Sequence, residues 1–387
     1  MKDILIITSY FPPETGAASN RMFHLATGLE KQKYKVSVIT PLPNYPKGQV
    51  FESYRGKFKQ TTTENNITIH RLWLYASNSK NKILRLLAML SYSFSLICFF
   101  IFNKTPNKVI VQSPPLLVAF TCMLFLRRKK RRLILNVSDL WPIAGLELGA
   151  FKRNFNYKLL EKIERFNYHK ADLILGQSKE ILAHIKTMFP EKEMFLYRNF
   201  PDFELPTLSK QQESNPKITI VYAGLLGMAQ GIYKLCKALD YSNITFHIYG
   251  GGAEKEKIIN FIADNPNLPI TYYGEVPREE LHKLLLNYDI TIIPLLNRIY
   301  GSVPSKIFEY ARLGLPMLYF GGGEGETIIE KHQLGWVAHV GDYKNLNLTI
   351  QSIRKEDFTL KKRLEIQQIG KRYFDFNSQL NLLTKLF

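Results

Sequence analysis

Lys306 and Glu309 stand three residues apart in the stretch GSVPSKIFEYARLGLP, which covers residues 301–316. This spacing predicts that both side chains lie on one face of a short helix, which begins near Pro304 and ends at Gly314. Free backbone N–H groups at the start of such a helix, together with a lysine, favour a phosphate group. A carboxylate one turn further along can accept hydrogen bonds from sugar hydroxyls.

Two interpretations of this pair are open from the spacing alone. An exposed Lys–Glu ion pair is common on helices and contributes little to stability. The pair, however, follows the apolar run IIPL of residues 292–295, which predicts a buried strand. Ligands of open α/β sheets bind beyond the carboxyl ends of the strands, so this position favours a ligand that carries phosphates and sugar hydroxyls.

Glycines follow several predicted strands in the second half of the chain. They are Gly224, Gly250 to Gly252, Gly274 and Gly321 to Gly323. Glycine at a strand end lets the backbone approach a ligand closely, although tight turns also require glycine. Four such endings at one edge of a sheet predict a nucleotide-diphosphate site.

The elements that must position these residues alternate along the chain. Short apolar runs predict strands at 4–8, 35–40, 67–74, 108–113, 132–138 and 171–178, and a helix pattern covers 18–32. A polar stretch with three prolines follows, and strands are predicted again at 218–224, 244–252, 270–276, 289–295, 316–323 and 335–340. Strands that alternate with helices predict parallel sheets with helices on both faces. We therefore expect two doubly wound, Rossmann-like α/β domains that face a cleft.

The predicted domain boundaries follow from the same pattern. Residues 1–199 are expected to form an N-terminal domain, 200–217 a linker, and 218–371 a C-terminal domain that contains the nucleotide-diphosphate site. Residues 372–387 form a helix that returns to the N-terminal domain. A length of 387 residues agrees with two domains.

The composition narrows the classes of partner and cofactor. The net charge is +19, from 52 basic and 33 acidic side chains, and suits nucleic acid, an acidic membrane or phosphorylated ligands. Nucleic acid is disfavoured because the longest basic run adjoins apolar segments rather than interleaved aromatic residues. Three widely spaced cysteines and the absence of Asp-x-Asp or HExxH predict a reducing cytoplasm and no metal. No P-loop motif is present, and the short apolar run near the N-terminus predicts a strand rather than a signal peptide.

The chain resembles the GT-B glycosyltransferases of family four, and within them the WbuB-type branch, described as L-fucosamine transferases of O-antigen and capsule clusters. The resemblance is carried by FPPETGAASNRMFHLATGLEKQKYKVSVIT, PNYPKGQVFESYRGKF (43–58), SPPLL, DLWP and VPSKIFEYARLGLP. It implies sugar transfer with retention at the anomeric carbon and without metal or another cofactor. The resemblance also implies that residues 218–371 bind the nucleotide sugar and that residues 1–199 form the acceptor-side domain. It also implies that Glu309 binds the nucleotide ribose, and that Gly16, Asn20 and Arg21 face the donor phosphates.

The sequence departs from this family at three positions. Gly301 replaces the first of two glutamates, and Leu225 and Gln230 replace the arginine and lysine that clamp the diphosphate. We expect Arg298 and Lys306 to form the clamp instead and to act in catalysis, because the leaving diphosphate gains negative charge in the transition state. The residues predicted to bind the donor in this domain are Gly224, Gln230, Gly250, Gly252, Gly274, Val276, Ser305 and Glu309.

Two features of the sequence indicate what kind of acceptor the enzyme uses. Residues 83–102 are almost all apolar, and the run RRKKRR follows a second apolar segment at 127–132. A membrane span would place the strands predicted on either side of residues 83–102 on opposite faces of the bilayer, so a core helix or an interfacial helix is expected. The basic run is either solvated or in contact with anionic headgroups. A polyprenyl-diphosphate-linked saccharide as acceptor would explain both features.

Asp139 of the DLWP motif also has two interpretations. It either caps a turn or helix before Pro142, or it has a functional role, which is to bind the acceptor hydroxyl or to act as a weak base. Together these observations predict a cytoplasmic glycosyltransferase, peripheral on the inner face of the membrane, that uses a UDP-sugar in bacterial capsule or O-antigen synthesis. N-acetyl-L-fucosamine or a related hexosamine is the expected sugar. A nucleotide-sugar epimerase on the same fold and a non-catalytic subunit of a polysaccharide-assembly complex are the alternatives.

Overall fold

The computed structural model describes residues 2–79, 81–147, 149, 152–209 and 216–387. The chain divides into two compact units. The first comprises residues 1–199 and 377–387, and the second comprises residues 200–376. Of the predicted linker, residues 200–209 belong to the second unit, and residues 210–215 lie outside the described residues.

The first unit is built on one eight-stranded sheet. Its strands are β1 (Lys2–Ile7), β2 (Tyr34–Pro41), β3 (Lys59–Glu64), β4 (Ile67–Leu72), β5 (Lys108–Ser113), β6 (Arg132–Val137), β7 (Leu173–Gly176) and β8 (Met194–Leu196). They lie in the order β3-β4-β2-β1-β5-β6-β7-β8, and all pairs are parallel except β3 with β4. The chain order therefore reverses between β1 and β5, which is the point where doubly wound sheets bind ligands.

Six helices connect these strands, and a seventh closes the unit. They are α1 (Ala17–Lys31), α2 (Lys82–Phe102), α3 (Leu116–Phe125), α4 (Ile143–Glu147), α5 (Phe155–Lys170), α6 (Lys179–Met188) and α14 (Phe376–Thr384). The side chain of Gln379 on α14 accepts from the amide of Arg198 at 2.8 Å and donates to its carbonyl at 3.0 Å. These two bonds fasten the C-terminal helix to the end of the first unit.

The second unit contains a six-stranded parallel sheet. Its strands are β9 (Ile218–Ala223), β10 (Ile244–Tyr249), β11 (Ile270–Gly274), β12 (Ile290–Pro294), β13 (Met317–Phe320) and β14 (Gly335–Ala338), in the order β11-β10-β9-β12-β13-β14. The helices are α7 (Ile232–Ala238), α8 (Lys255–Asp264), α9 (Arg278–Leu285), α10 (Lys306–Leu313), α11 (Glu324–Lys331), α12 (Tyr343–Ser352) and α13 (Leu360–Tyr373). Buried apolar clusters lie on both faces, and the order reverses between β9 and β12.

The predicted doubly wound α/β fold is confirmed, and two strands were missed. β3 has the sequence KQTTTE, whose side chains are polar and largely exposed, so no apolar alternation marks it. It pairs antiparallel at the edge of the sheet, where one face is solvated. β8 has only three residues, all half-buried, at the opposite edge.

Helix α2 exposes apolar side chains on the face that does not pack against the rest of the first unit. By length and composition it could cross a membrane, and 22% of its most apolar window is buried. β4 and β5, which flank it, belong to the same sheet. Five of its exposed apolar side chains lie along one stripe, at spacings of three, four or seven residues: Ile83, Leu87, Leu90, Phe94 and Ile101. We call these five residues the α2 stripe.

The basic run at 127–132 separates into structural and exposed cations. Arg127 pairs with Asp172 and Arg132 with Glu193, each at 2.7 Å. Arg131 is buried, and its guanidinium donates to the carbonyl of Leu126, 2.8 Å away, just beyond the end of α3. The remaining three cations, residues 128–130, are exposed and form what we call the basic turn.

Candidate active site

Lys306 opens helix α10, which follows β12 at the point where the strand order of the second unit reverses. Its side chain extends to the end of β9, where the ammonium nitrogen lies against Gly224 and 4.6 Å from the centre of the Tyr222 ring. This nitrogen is buried and has no hydrogen-bond partner among the described residues. Burial lowers the pKa of Lys306 to about 8, although the charge of Glu309 raises it.

A buried ammonium without an acceptor is costly, and an anion bound beside it would remove that cost. Lys306 therefore indicates an anion site between the carboxyl ends of β9 and β12. Ser305, which precedes it, accepts from the amides of Phe308 and Glu309 through its carbonyl and so begins the helix.

Gly224 and Gly250 allow the carboxyl ends of β9 and β10 to pack closely together. Gly224 has a φ of +151°, and a side chain there would collide with the Lys306 ammonium. Gly250 has a φ of +131°, and a side chain would collide with the carbonyl of Gly224. Only glycine fits both positions, because the conformation and the space exclude a Cβ atom.

The other predicted glycines differ in their surroundings. Gly252 packs on the backbone of Leu226, whose carbonyl lies 2.6 Å from an ideal Cβ position. Gly274 ends β11 with no heavy atom within 4 Å of its ideal Cβ, so its surface is open to a ligand. Val276 follows on the same loop and packs partly against the apolar cluster of the second unit.

Glu309 is held by two side chains of α9. Its Oε1 accepts from Nε2 of His282 at 2.6 Å and from Nε of Arg278 at 3.1 Å. Burial raises the pKa of Glu309, but the His282 hydrogen bond and the charges of Arg278, His282 and Lys306 hold it at about 2. The carboxylate is thus ionised, and Oε2 is left for a hydroxyl donor.

Lys306 and Glu309 form no ion pair with each other among the described contacts, so the solvated-pair interpretation of their spacing does not describe them. Sequence reasoning missed Arg278 and His282. No local signal could have found them, because they lie 31 and 27 residues from Glu309.

Arg298 lies on the loop after β12, and its guanidinium lies against Gly323, which follows β13. Its Cζ is 6.0 Å from the centre of the Tyr300 ring. Arg298 and Lys306 therefore follow the same strand but lie against different neighbouring strand ends, β13 for Arg298 and β9 for Lys306.

The loop after β9 presents apolar side chains where the family's clamp residues would stand. Leu225 and Met228 are exposed there. Gln230 is half-buried, and its Oε1 has no hydrogen-bond partner among the described residues. This loop contributes no cation, which leaves Lys306 as the cation at the end of β9.

In the first unit, Arg21 of α1 is buried. Its guanidinium donates to Oε1 of Gln177 at 2.8 Å and to Oγ of Ser138 at 2.5 Å. Asp139 is adjacent to Ser138; burial raises the pKa of its carboxyl, and the charge of Arg21 lowers it. Arg21 thus ties α1 to the ends of β6 and β7 and supports Asp139.

Gly16 and Asn20 lie at the start of α1 and are exposed. Gly16 has a φ of +142°, and its ideal Cβ position lies 3.8 Å from the ring of Tyr45. Among the described residues, no group of three or more His, Cys, Asp or Glu side chains could hold a metal ion.

Comparison with known families agrees with this geometry. Residues 206–373 match the family Glycosyl transferases group 1, and residues 16–196 match the Glycosyl transferase 4-like domain. The two matches follow one another along the chain and identify it as a glycosyltransferase. The predicted enzyme class is therefore confirmed at the family level, and the WbuB-type branch stays a prediction.

Known relatives of this glycosyltransferase include WcaI of Escherichia coli (strain K12), named as a colanic acid biosynthesis glycosyl transferase. WcaI is 25% identical over 275 residues, which cover 66% of this chain and 67% of WcaI. Sucrose-phosphate synthase from Thermosynechococcus elongatus has a TM-score of 0.74 at 12% identity, over 100% of this chain and 98% of that one. Anabaena HepE, solved in complex with UDP and glucose, has a TM-score of 0.66 at 12% identity, over 100% and 99% of the two chains.

Proposed function

We propose that this glycosyltransferase transfers a sugar from a UDP-sugar to a lipid-linked saccharide, with retention at the anomeric carbon and without a divalent metal. N-acetyl-L-fucosamine or a related hexosamine is the proposed sugar, and bacterial capsule or O-antigen synthesis the proposed setting. The observation that carries the donor assignment is the buried ammonium of Lys306, which has no acceptor within the described parts of the chain and lies one helical turn from the ionised Glu309.

On the donor side, the two side chains match the two parts of a nucleoside diphosphate. The Lys306 ammonium, close to the backbone of Gly224, binds a phosphate oxygen, and Oε2 of Glu309 accepts from a ribose hydroxyl. The complex of HepE with UDP and glucose supports a nucleotide of this class.

The chemical step moves negative charge onto the diphosphate. The bond between the anomeric carbon and the β-phosphate oxygen breaks, and its electron pair leaves with that oxygen. A new bond forms to the acceptor hydroxyl, whose proton is released. Lys306 stabilises the leaving charge, and Arg298 is proposed to assist it, in the role that a divalent metal fills in other transferases. Asp139 is proposed to bind the acceptor hydroxyl, because its half-buried carboxyl has a raised pKa and lies close to the charge of Arg21.

The acceptor side is proposed to lie at an anionic membrane surface on the cytoplasmic face. The α2 stripe presents apolar side chains in one line, and α3, which packs against α2, exposes Leu124 and Phe125 near the basic turn. Apolar side chains beside cations are the features that bind a helix within the interface of an anionic bilayer.

A panel of UDP-sugars tests this function with a synthetic prenyl-diphosphate saccharide as acceptor. We expect UDP release that depends on the acceptor, and a product whose anomeric configuration, measured by NMR, equals that of the donor. An epimerase would convert the nucleotide sugar without acceptor. A non-catalytic subunit would bind UDP and turn over none of the donors, and either result would overturn the proposal.

A further inference from the structure

Helix α2 is fastened to the carboxyl end of β1, where the strand order of the first unit reverses. The hydroxyl of Tyr92, buried on α2, donates to the carbonyl of Thr8 at 3.1 Å. The hydroxyl of Thr8 lies 2.7 Å from Oε1 of Gln112 on β5 and 3.0 Å from the carbonyl of Tyr10. The position of α2 is thus coupled to the residues that follow β1, at the edge where such sheets bind ligands.

A buried carboxylate holds a second loop at the same place. Glu14 is 3% exposed, and its Oε1 accepts from the amides of Asn44 and Tyr45 at 2.7 and 2.8 Å. Burial raises the pKa of Glu14, and these backbone bonds lower it. Among the described residues Glu14 forms no ion pair. The hydrogen bonds from two backbone amides are therefore the main interactions that offset the cost of burying its carboxylate. A carboxylate buried in this way is costly and fixes the loop of residues 43–46 in one position.

The loop that Glu14 fixes presents an aromatic surface. Tyr45 is 46% exposed, and its ring meets that of Tyr10 edge to face, with centroids 5.5 Å apart. Arg85, in the first turn of α2, is exposed and close enough that its charge lowers the pKa of Tyr10, which burial and Glu14 raise. No described residue pairs with the guanidinium of Arg85.

The charge distribution of α2 indicates an amphipathic ligand. Its sequence contains only two charged residues, Lys82 and Arg85, and both lie in the first turn. The α2 stripe begins at Ile83 in the same turn and continues along the remaining turns. A ligand that follows this helix therefore meets a cation, the exposed Tyr45 and the half-buried Tyr10 at one end, and uncharged, mostly apolar side chains beyond.

We propose that Tyr10, Tyr45 and Arg85 bind the saccharyl-diphosphate head group of a prenyl-linked acceptor, with Glu14 as a positioning residue. The tyrosine rings take the apolar face of the sugar, and their hydroxyls take its hydroxyls. Arg85 binds the diphosphate, for which a guanidinium offers two parallel N–H donors. The prenyl chain continues along the α2 stripe. This inference rests on the proposed function for the identity of the acceptor and gives the loop of residues 43–46 a role.

Isothermal titration of the full chain with farnesyl diphosphate tests the diphosphate contact, with excess UDP present to occupy the donor site. Farnesol and inorganic pyrophosphate are titrated separately to distinguish the lipid from the phosphates. We expect farnesyl diphosphate to bind at least tenfold more tightly than either fragment. Arg85→Ala should weaken its binding about tenfold, and Lys35→Ala, an exposed cation at the opposite end of the sheet, should not. Equal binding by the wild type and Arg85→Ala, or no preference over the fragments, would overturn the proposal.

Titration with farnesyl diphosphate that carries one N-acetylhexosamine tests the tyrosines and Glu14. Tyr45→Ala should remove most of the affinity that the sugar adds. Glu14→Ala should do the same, and Glu14→Gln should restore much of it, because its carbonyl oxygen can still accept from both amides. Loss in both Glu14 variants, or in neither, would show that Glu14 does not act by holding this loop.

These binding measurements separate the inference from the proposed function. If transfer were never observed but farnesyl diphosphate bound through Arg85, the function would fail and the site would stand. If transfer occurred to an acceptor without lipid, and Arg85→Ala left its KM unchanged, the site would fail and the transferase would stand.

Discussion

The ammonium of Lys306 and the ring of Tyr222 lie 4.6 Å apart, and the hydroxyl of Tyr222 donates to the carbonyl of Leu225 at 2.6 Å. The lysine comes from the helix after β12 and the tyrosine from β9, so this contact bridges the two strands between which the sheet order reverses. An aromatic ring partly stabilises a cation above it when no anion is bound. The Lys306 ammonium can therefore stay charged in its buried position until a ligand binds.

Replacement of this lysine should mainly affect turnover. Lys306→Ala is expected to lower kcat by roughly 100-fold, since one preorganised donor to a developing charge has an effect of this size. Steady-state kinetics at saturating donor would measure the loss. Lys283→Ala, an exposed lysine of α9, is the matched control and should keep wild-type kcat. Normal turnover of Lys306→Ala would place the clamp elsewhere.

The same lysine should make nucleotide binding depend on pH. Burial lowers its pKa from 10.5 to about 8, so the free enzyme loses this proton above pH 8. A bound diphosphate favours the charged form, and the affinity for UDP should therefore fall as pH rises above 8, by up to about tenfold per unit. Titration calorimetry between pH 7 and 9.5 would show this, and Lys306→Ala should flatten the profile.

The free energy of unfolding of the free enzyme should rise with pH over this range, whereas the affinity for UDP falls. Between about pH 8 and 10.5 the unfolded chain binds the Lys306 proton and the folded chain does not. The contribution of this group to the free energy of unfolding therefore rises with pH across that window. Denaturant unfolding of the wild type and Lys306→Met should differ less at pH 10 than at pH 7. A difference that is constant between the two pH values would contradict the assignment.

Glu309 should act on binding rather than on the chemical step. Glu309→Gln is expected to weaken UDP binding about tenfold with a small change in kcat, because a ribose contact is made equally in the ground and transition states. Glu279→Gln, an exposed carboxylate of α9, is the control. A lower kcat with unchanged UDP affinity would assign Glu309 to catalysis instead.

Removal of the basic turn should release the protein from anionic vesicles. Each cation at such a surface contributes about 1 kcal/mol, so the triple change Arg128→Ser, Lys129→Ser and Lys130→Ser should weaken liposome binding by at least tenfold. A triple change of Lys255, Lys257 and Lys283, exposed lysines of the second unit, serves as the control for net charge. Arg127, Arg131 and Arg132 should be left in place, because they make structural contacts. Equal cosedimentation of both triple variants would show that the basic turn is only solvated.

Transfer should continue in the presence of EDTA, because Lys306 and Arg298 are proposed to carry the charge of the leaving diphosphate. The measurement is product formation after metal removal and again after addition of manganese. Complete loss in EDTA with recovery on manganese would contradict this expectation.

The amino-acid pattern alone determined the two α/β domains and the common face of Lys306 and Glu309. Both follow from local periodicity: strands of four to eight apolar residues, helices of period 3.6, and a spacing of three within one helix. Tertiary structure decided which partners these side chains meet. Glu309 is ionised because α9 brings Arg278 and His282 to it, and Arg21 is buried because the ends of β6 and β7 bring Ser138 and Gln177, 117 and 156 residues away.

The basic run shows the same division. Six consecutive cations predict one charged surface, yet Arg127, Arg131 and Arg132 are engaged by Asp172, a helix-end carbonyl and Glu193. Asp172 and Glu193 lie on segments that only the folded sheet brings near, whereas the carbonyl that Arg131 meets is five residues away, and three exposed cations remain. Local spacing sets the secondary structure and the faces of its elements, whereas burial, pKa and pairing depend on contacts between residues distant in the chain, which packing alone creates.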